Sequence, residues 1–312
     1  MPAKADFFEQ AELPPLRDRL RAALLEDLGT AGDVTSQAVV PQGRMAQADV
    51  LVKANGVLSG VELLREILPL AQELVRPRHC TEQHDVRVSI LRSDGAHVAK
   101  GDVVASMAGE ARVLLAAERL SLNFLCHLSG IATHTAQYVA KVAHTKAKIV
   151  DTRKTTPLWR DLEKHAVTCG GAENHRRGLY DMILIKDNHL ALWGVLDPAG
   201  AVRAARERFP QVAIEVEVTD VAGLAHVCAH SQPDMVLLDN FSLGALREAV
   251  QWREHFFSRE KKSFSRGPLL EASGCVNLES VAAIAETGVD RISVGALTHS
   301  VTALDISLEL RL

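Results

Sequence analysis

Charged side chains stand at the carboxyl end of one short apolar run after another in the second half of this 312-residue sequence. Asp151, Arg153 and Lys154 close the first run, Lys186 closes the second, and Asp239 closes the fourth. The carboxyl ends of parallel strands meet on one face of an α/β barrel, which is where such barrels build their active sites. The pattern therefore predicts an active site on that face.

The balance of charge in this region indicates the class of ligand. The planar fork of arginine suits carboxylate or phosphate, and lysine adds a point charge. Because clustered cations repel one another, they favour an anionic occupant. We interpret Arg177 and Arg160 mainly as solvated surface charges. The sequence thus predicts a multiply anionic small molecule, held within a basic segment that contains Arg153, Lys154, His175, Arg176, Arg177 and Lys186.

Acidic residues and glycines add to this predicted site. Glu217 and Asp239 could bind a divalent metal or sugar hydroxyls, or could neutralise the cations. Glu215 has the same strand-face parity as Glu217, so spacing does not say which of the two matters. Ser273-Gly274 and Gly295 follow the last two apolar runs. Loops there often hold phosphate through backbone N–H groups, although a glycine can also serve only a turn.

Short apolar runs alternate with helical patterns after residue 147, which predicts a parallel sheet. The predicted strands are Lys148–Asp151, Asp181–Lys186, Ala213–Val218, Met235–Asp239, Leu269–Ser273 and Arg291–Gly295. Helical spacing covers Ala199–Arg208, Val221–His230, Leu243–Arg253 and Leu278–Thr287. Six strands, with one or two more that the pattern does not reveal, favour a barrel. An open doubly wound sheet is the alternative, although no early GxGxxG follows a strand.

The first third of the chain reads as a separate mixed domain. A helix is predicted at 15–28 and ends at Gly29, and a second at Val61–Leu70. Strands are predicted at Gln47–Val52 and His84–Ile90. A long apolar helical region at 111–143 reads as two helices divided at Gly130, with the domain boundary near residue 122.

Composition restricts the class of protein. The net charge of −4 does not favour nucleic acid or an acidic membrane surface. The N-terminus lacks the apolar stretch of a signal peptide, and no run approaches the ~18 apolar residues of a membrane helix. Five cysteines, an odd number without a CxxC pair, are typical of reduced thiols. We expect a cytoplasmic protein.

The segment DTRKTTPLWRDLEKHAVTCGGAENHRRGLYDMILIKDNH at 151–189 closely resembles the signature of the quinolinate phosphoribosyltransferases, also called carboxylating nicotinate-nucleotide pyrophosphorylases. Further matches occur in the family's order along nearly the whole chain. They are LLEDLGTAGDVTS (24–36), AERLSLNFL (117–125), EVEV (215–218), LLDN (237–240), EASG (271–274) and SVGALTHS (293–300). The resemblance implies an α/β protein with an N-terminal α/β sandwich domain (1–122) and an incomplete TIM-like barrel (123–298). It also implies that 299–312 pack back on the first domain.

The resemblance also implies a reaction and a set of roles. Quinolinate and 5-phosphoribosyl-1-pyrophosphate would give nicotinate mononucleotide, pyrophosphate and CO2, with Mg2+ as cofactor, in NAD biosynthesis. The implied partners are these two substrates and a second copy of the chain, in a homodimer or larger homo-oligomer. Quinolinate would be bound by Arg153, His175, Arg176, Lys186 and the neighbouring subunit's copy of Arg119. Lys154, Glu217 and Asp239 would serve the phosphoribosyl donor, and Ser273-Gly274 and the loop at Gly295 would hold its phosphate. Thr152, Cys275, Val294 and Ala296 would complete the substrate-binding set. Within these sets Lys154, Lys186, Glu217 and Asp239 would be catalytic, and Glu217 and Asp239 would hold the metal directly or through water.

Three positions depart from the family pattern. Leu158 and Ala172 replace usual glycines, and Cys275 replaces the last glycine of SGG. Because cysteine has a Cβ and resists positive φ, the last departure bears on the geometry of the phosphate loop.

Two other functions compete. A relative of the same fold, of the molybdenum-transport-associated type, would use another substrate, although the full basic set favours quinolinate. A carrier or binding module is the other, because residues 94–111 resemble half of a biotinyl or lipoyl domain.

Overall fold

A computed structural model describes residues 13–75, 85–259 and 267–311. The chain divides into two compact units, residues 1–127 with 304–312, and residues 128–303. The sequence placed the corresponding boundaries near residues 122 and 299. No helix within the described residues is both long and apolar enough to span a membrane.

The first unit contains a four-stranded antiparallel sheet in the order β12-β1-β5-β3. Strand β12 (Ile306–Arg311) lies near the C-terminal end of the sequence and pairs with β1 from Gln47↔Arg311 to Val52↔Ile306. Of the second strand predicted from sequence, His84 lies outside the described residues. The strands are β1 (Met45–Val52), β3 (Arg87–Ile90), β5 (Val103–Glu110) and β12 (Ile306–Arg311), and a separate ribbon joins β2 (Gly56–Val57) to β4 (His97–Val98).

Three helices accompany this sheet, and local capping explains where they start and stop. α1 (Leu16–Leu28) ends at Gly29, whose φ of 50° is left-handed and whose amide donates to Leu25 O. The side chain of Asp33 accepts from Ser36 N at 3.0 Å and caps α2 (Val34–Val39). A 3₁₀ turn at Val61–Leu63 leads into α3 (Leu64–Val75), which contacts α1.

Helix α4 (Ala111–Val142) runs unbroken for 32 residues, so the prediction of two helices divided at Gly130 is wrong. Glycine lowers helix propensity but does not by itself end a helix. A Cβ at Gly130 would clash with Thr302 O, so this glycine permits a close approach of backbone to helix.

The second unit contains the predicted parallel sheet, in the order β6-β11-β10-β9-β8-β7. Its strands are β6 (Lys148–Val150), β7 (Ile183–Ile185), β8 (Ile214–Val218), β9 (Met235–Asp239), β10 (Leu269–Ser273) and β11 (Arg291–Ser293). The first strand pairs with the last, which is barrel order and not that of a doubly wound sheet. Among the described residues no ladder joins β6 to β7, and only an isolated bridge from Val150 to Glu173 extends the sheet beyond β6. The barrel is therefore incomplete.

Helices follow the strands in the expected alternation. They are α5 (Arg160–Cys169), α6 (Asp187–Trp193), α7 (Pro198–Arg208), α8 (Val221–His230), α9 (Leu243–Arg259), α10 (Val281–Ala285) and α11 (Ala296–His299). α10 is shorter than the predicted Leu278–Thr287 because its first residues form turns. α6 was not predicted from the sequence, because its polar first residues read as a strand-end loop.

Candidate active site

The parallel sheet brings the predicted charged residues to one edge. Ser273 of β10 pairs in register with Asp239 of β9, both at the last position of their strands. Glu217 lies near the end of β8, beside β9. Lys186 directly follows β7 and stands at the N-terminus of α6. These four side chains therefore share the carboxyl edge of the sheet.

Lys186 and Glu217 form an ion pair across β7 and β8, with Nζ donating to Oε2. The carboxylate is largely buried, with 9% of its side chain exposed, and the lysine is 41% exposed. The amide of Lys186 donates to His189 Nδ1 at 2.9 Å, which fixes the start of α6. Lys186, which was predicted to bind quinolinate, thus contacts Glu217, which was predicted to serve the donor.

Two guanidinium groups, those of Arg153 and Arg176, act on each other at this edge. Burial first, and then the charge of Arg153, lower the pKa of Arg176. Arg176 donates from Nη1 to Met182 O at 3.1 Å, whereas the buried Nε of Arg153 has no hydrogen-bond partner. Like charges that act on each other favour an anion as their common partner.

The loop after β11 lies against Lys154. A Cβ on Gly295 would stand 2.9 Å from Lys154 Cδ and 3.1 Å from His299 Nε2, so a larger residue here would displace those side chains. Thr298 Oγ1 donates to Lys154 O at 2.8 Å. The amide of Lys154 in turn donates to Thr152 Oγ1 at 3.1 Å. Val294 and Ala296 flank this glycine, at the end of β11 and the start of α11.

Left-handed backbone recurs where the strands β9 and β10 end. Asn240, Gly274 and Cys275 have φ values of 56°, 105° and 46°. The amide of Asn240 donates to Ser273 O at 2.9 Å, and a Cβ on Gly274 would clash with the Asn240 side chain. Cys275 therefore keeps the glycine-like geometry of the loop at a strain cost of about 1 kcal/mol.

Leu158 also has a left-handed backbone, with φ of 69°, at a position where the family usually has glycine. Ala172, the third departure, does not have positive φ and is buried. Two of the three departures thus retain a backbone that glycine would adopt without strain.

His175 is buried, and its ring is held by two carboxylates. Nε2 lies 2.9 Å from Glu215 Oε2 and 3.4 Å from Glu271 Oε1. Burial alone would lower the pKa of His175, but the neighbouring carboxylates of Glu215 and Glu271 raise it to about 9. The amide of Arg176 donates to Nδ1 at 2.8 Å, so the ring gives up this contact when it takes its second proton.

The backbone of His175 is held by a second buried pair. Lys164 Nζ lies 2.5 Å from Asp151 Oδ1 and 3.0 Å from His175 O. The His175 amide donates to the same Asp151 oxygen at 2.7 Å. Both charged side chains are almost completely buried, and burial raises the pKa of Asp151 and lowers that of Lys164.

No role was predicted from the sequence for Lys164, Glu271 or Arg291. Arg291 Nε lies 3.3 Å from Glu271 Oε2, so a second cation reaches the buried carboxylates. The available signal was a charged residue inside an apolar strand run, as at Glu215 and Glu271. That signal marks buried ion pairs and not only strand-end site residues.

Two predicted residue roles lie outside what this geometry tests. Arg119 lies exposed on α4 in the first unit, and its entry into a neighbouring subunit's site stays a prediction. Glu217 and Asp239 as metal ligands also stay a prediction. Among the described residues, neither belongs to a cluster of three metal-binding side chains.

Comparison with known protein families identifies the family to which this chain belongs. The family model for the C-terminal domain of quinolinate phosphoribosyl transferase matches residues 131–309, and the model for its N-terminal domain matches 33–129. The chain belongs to the quinolinate phosphoribosyltransferase family. The N-terminal match covers the stretch that resembled a carrier domain, so the carrier hypothesis is wrong.

Relatives in this family match nearly the whole chain. The carboxylating nicotinate-nucleotide pyrophosphorylase of Mycobacterium leprae is 43% identical over 96% of this chain and 98% of its own length. The probable Bacillus subtilis enzyme of that name is 38% identical over 95% and 94%. Among solved structures, the nicotinate-nucleotide pyrophosphorylase of Francisella tularensis matches with a TM-score of 0.83 at 34% identity, covering 95% of each chain.

Proposed function

We propose that this chain transfers the phosphoribosyl group of 5-phosphoribosyl-1-pyrophosphate to quinolinate. Loss of CO2 then gives nicotinate mononucleotide for NAD biosynthesis, with pyrophosphate as the other product. Family membership and the names of its relatives support this assignment. The observation that carries it is the set of cations at the carboxyl edge of the sheet, where Lys186 is paired with Glu217 and the charge of Arg153 acts on Arg176. Several fixed cations, two of them guanidiniums, suit a ligand that brings two carboxylates.

On the acceptor side, Arg153, His175, Arg176 and Lys186 would hold the quinolinate dianion. The fixed guanidinium and ammonium groups offset the cost of removing two carboxylates from water. Orienting the ring so that its nitrogen faces the sugar removes much of the entropic barrier to a two-substrate reaction. This role depends on a rigid frame, which Asp151 and Lys164 provide beneath His175.

On the donor side, Lys154, Thr152 and the loop at Gly295 would hold the phosphoribosyl donor. Gly295 brings backbone close to Lys154, so phosphate oxygens could meet amide and ammonium donors together. The loop Ser273–Cys275 and the flanking Val294 and Ala296 complete this predicted set.

Mg2+ fits the two carboxylates of the donor side. Glu217 and Asp239 offer hard oxygen ligands on adjacent strands. Mg2+ is commonly held by one or two carboxylates together with substrate phosphates, so two protein ligands are enough. When bound, directly or through water, it would neutralise charge on the pyrophosphate.

The chemistry asks the protein for positioning and fixed charge. The pyridine nitrogen forms a bond to the anomeric carbon, and the bond to pyrophosphate breaks with its electron pair. Lys154 would stabilise the departing charge. The ring nitrogen is then cationic, so the bond from C2 to its carboxylate can break as CO2 leaves. The electron pair stays at C2 beside the cationic nitrogen and takes up a proton.

The assembly and location follow the same proposal. The working unit would be a homodimer or a larger homo-oligomer in which Arg119 completes the neighbouring site, and the enzyme would act in the cytoplasm. An exposed arginine on α4 is available for such a contact.

The test is a substrate comparison with the purified chain, the sugar donor and Mg2+. We expect mononucleotide formation from quinolinate and at least ~100-fold less from nicotinate, since one carboxylate is missing and its half-buried cationic partners are left unpaired. Turnover of a different nitrogen heterocycle, with none of quinolinate, would favour the molybdenum-transport-associated alternative. Product is followed by absorbance and mass.

A further inference from the structure

A buried ionic layer lies within the barrel beneath the strand ends. Glu215 and Glu271, each fully buried, precede Glu217 and Ser273 by two residues in their strands. Residues two apart in a strand point to the same face, so these glutamates lie one layer deeper than the predicted site residues. His175 and Arg291 reach this layer at distances of 2.9 to 3.4 Å.

Filling the interior of a barrel with charged side chains costs free energy. Such positions usually carry Val, Ile or Leu, and a buried carboxylate costs free energy unless it is paired. Glu215 Oε1 and both Glu271 oxygens have no hydrogen-bond partner, although Glu271 stands within ion-pair distance of His175 and Arg291. His175 and Arg291 are the basic side chains that stand within ion-pair distance of these carboxylates. Replacing a buried ion pair by apolar side chains of similar volume is often neutral or stabilising, so stability alone is a weak reason for the two carboxylates.

The ring and the backbone of His175 are held by separate groups. Asp151 and Lys164 already fix its amide and carbonyl. Glu215 and Glu271 act on Nε2 alone, at the other end of the ring from the contact between Nδ1 and the Arg176 amide. Removing one of these glutamates would therefore free the ring while the loop keeps its place.

We propose that Glu215 and Glu271 are positioning residues that fix the orientation of the His175 ring, one of the groups proposed to hold quinolinate. The inference rests on the proposed function, because it makes the dicarboxylate side of that site depend on the buried layer. Neither glutamate touches the substrate. Their loss weakens quinolinate binding and leaves the donor side and the chemical step largely intact.

Isosteric variants test this dependence. Glu215→Gln and Glu271→Gln keep the side-chain volume and remove the charge. We expect KM and the calorimetric Kd for quinolinate to rise about tenfold, with kcat and KM for the sugar donor within about threefold, the pattern of lost ground-state binding. If one variant fails to fold, the other carries the same test.

Asp290→Asn provides the matched control. Asp290 is a carboxylate largely withdrawn from solvent in the same unit, and it pairs with Arg253 and Lys146 at the start of β11, the opposite end from the site. The Asp290→Asn variant loses a charge pair similar to that lost in the glutamate variants, but this pair does not contact His175. We expect lower thermal stability and an unchanged quinolinate KM.

A double variant separates positioning from a general structural effect. In a His175→Ala background, Glu215→Gln should raise the quinolinate Kd no further, since the group through which it acts is gone. The 15N signals of the His175 ring should move in Glu215→Gln and stay in Asp290→Asn. An equal rise in Kd in both backgrounds, or a wild-type KM in both glutamine variants, overturns the inference. A wild-type protein that does not turn over quinolinate overturns the proposed function instead.

Discussion

At the scale of single residues, like charges held together are the most informative feature of this protein. Burial first, and then the charge of Arg153, lowers the pKa of Arg176, and the two like charges repel each other in the absence of an anion. Lys186 has a partner in Glu217, so it is held in place before any ligand arrives. The cationic pocket is therefore built in advance, and preorganised charge is what binding of a polyanion requires.

Truncation of one of these cations should act on activity far more than on folding. Arg153→Ala should lower kcat/KM for quinolinate by at least ~100-fold, since a bidentate charged contact is worth several kcal/mol when desolvated. Arg177 offers a matched control, because it is exposed and paired with Asp161 on the surface. Arg177→Ala should stay within about threefold of wild type. Equal losses in the two variants, measured as kcat/KM with unfolding curves alongside, would contradict the assigned pocket.

The buried histidine makes a prediction about pH. The pKa of His175 is about 9 in the folded chain, against an ordinary value of 6.5, with Glu215, Glu271 and the Glu271-bound Arg291 as its charged surroundings. A raised folded pKa gives stability that is complete below pH 6.5 and is lost as pH rises through 9, on the order of 3 kcal/mol in all.

Urea unfolding between pH 6 and 10 measures this pH-dependent loss of stability. The wild-type free energy of unfolding should fall across the window from 6.5 to 9, whereas a His175→Asn variant should show a much shallower fall. Parallel curves for the two proteins would show that His175 is not protonated in the folded chain.

At the scale of elements, the loops at the strand ends set the site, and their backbone conformation can be read from the sequence only in part. Alternating apolar runs predicted each of the six parallel strands, and the carboxyl-end rule predicted where Lys186, Glu217 and Asp239 meet. The pattern missed α6, since a seven-residue helix spans too few turns for periodicity. It also missed the role of Lys164, because a lysine in an amphipathic helix reads as solvent-facing until its buried partner Asp151 is known.

Left-handed positions allow a test at this scale. Leu158 has φ of 69° and an exposed side chain, so Leu158→Gly should raise the free energy of unfolding by up to ~1 kcal/mol, since relief of strain exceeds the added freedom of the unfolded chain. Leu25 is also exposed but lies inside α1, where Leu25→Gly should lower the free energy of unfolding by about 1 kcal/mol. If the free energy of unfolding changed in the same direction in both variants, the role given to backbone strain would be contradicted.

At the scale of the whole molecule, two units fold from one chain, and the last strand returns to the first unit. The sequence could predict this division from the change in rhythm near residue 147 and from the resemblance, but not the unbroken course of α4 through Gly130. That glycine serves a backbone contact with Thr302, which lies 172 positions away in the chain and leaves no local signal.

The proposed assembly can be tested by mixing two inactive variants. Arg119→Ala and Lys186→Ala each damage a different part of the site, one from each subunit. If Arg119 serves its neighbour, unfolding and refolding an equal mixture should restore about a quarter of wild-type activity, because half the dimers are mixed and each has one intact site. Arg177→Ala in place of Arg119→Ala controls for the mixing itself. No recovery, with mixed oligomers shown by mass, would place Arg119 outside the neighbouring site.

The central claim is tested most directly by the stoichiometry of products. The chain is incubated with the sugar donor, Mg2+ and quinolinate labelled with 13C in its 2-carboxyl group, and labelled CO2, pyrophosphate and nicotinate mononucleotide are measured together. The account predicts one of each per turnover and an unlabelled mononucleotide. A mononucleotide that keeps the label, or labelled CO2 without pyrophosphate, would contradict it.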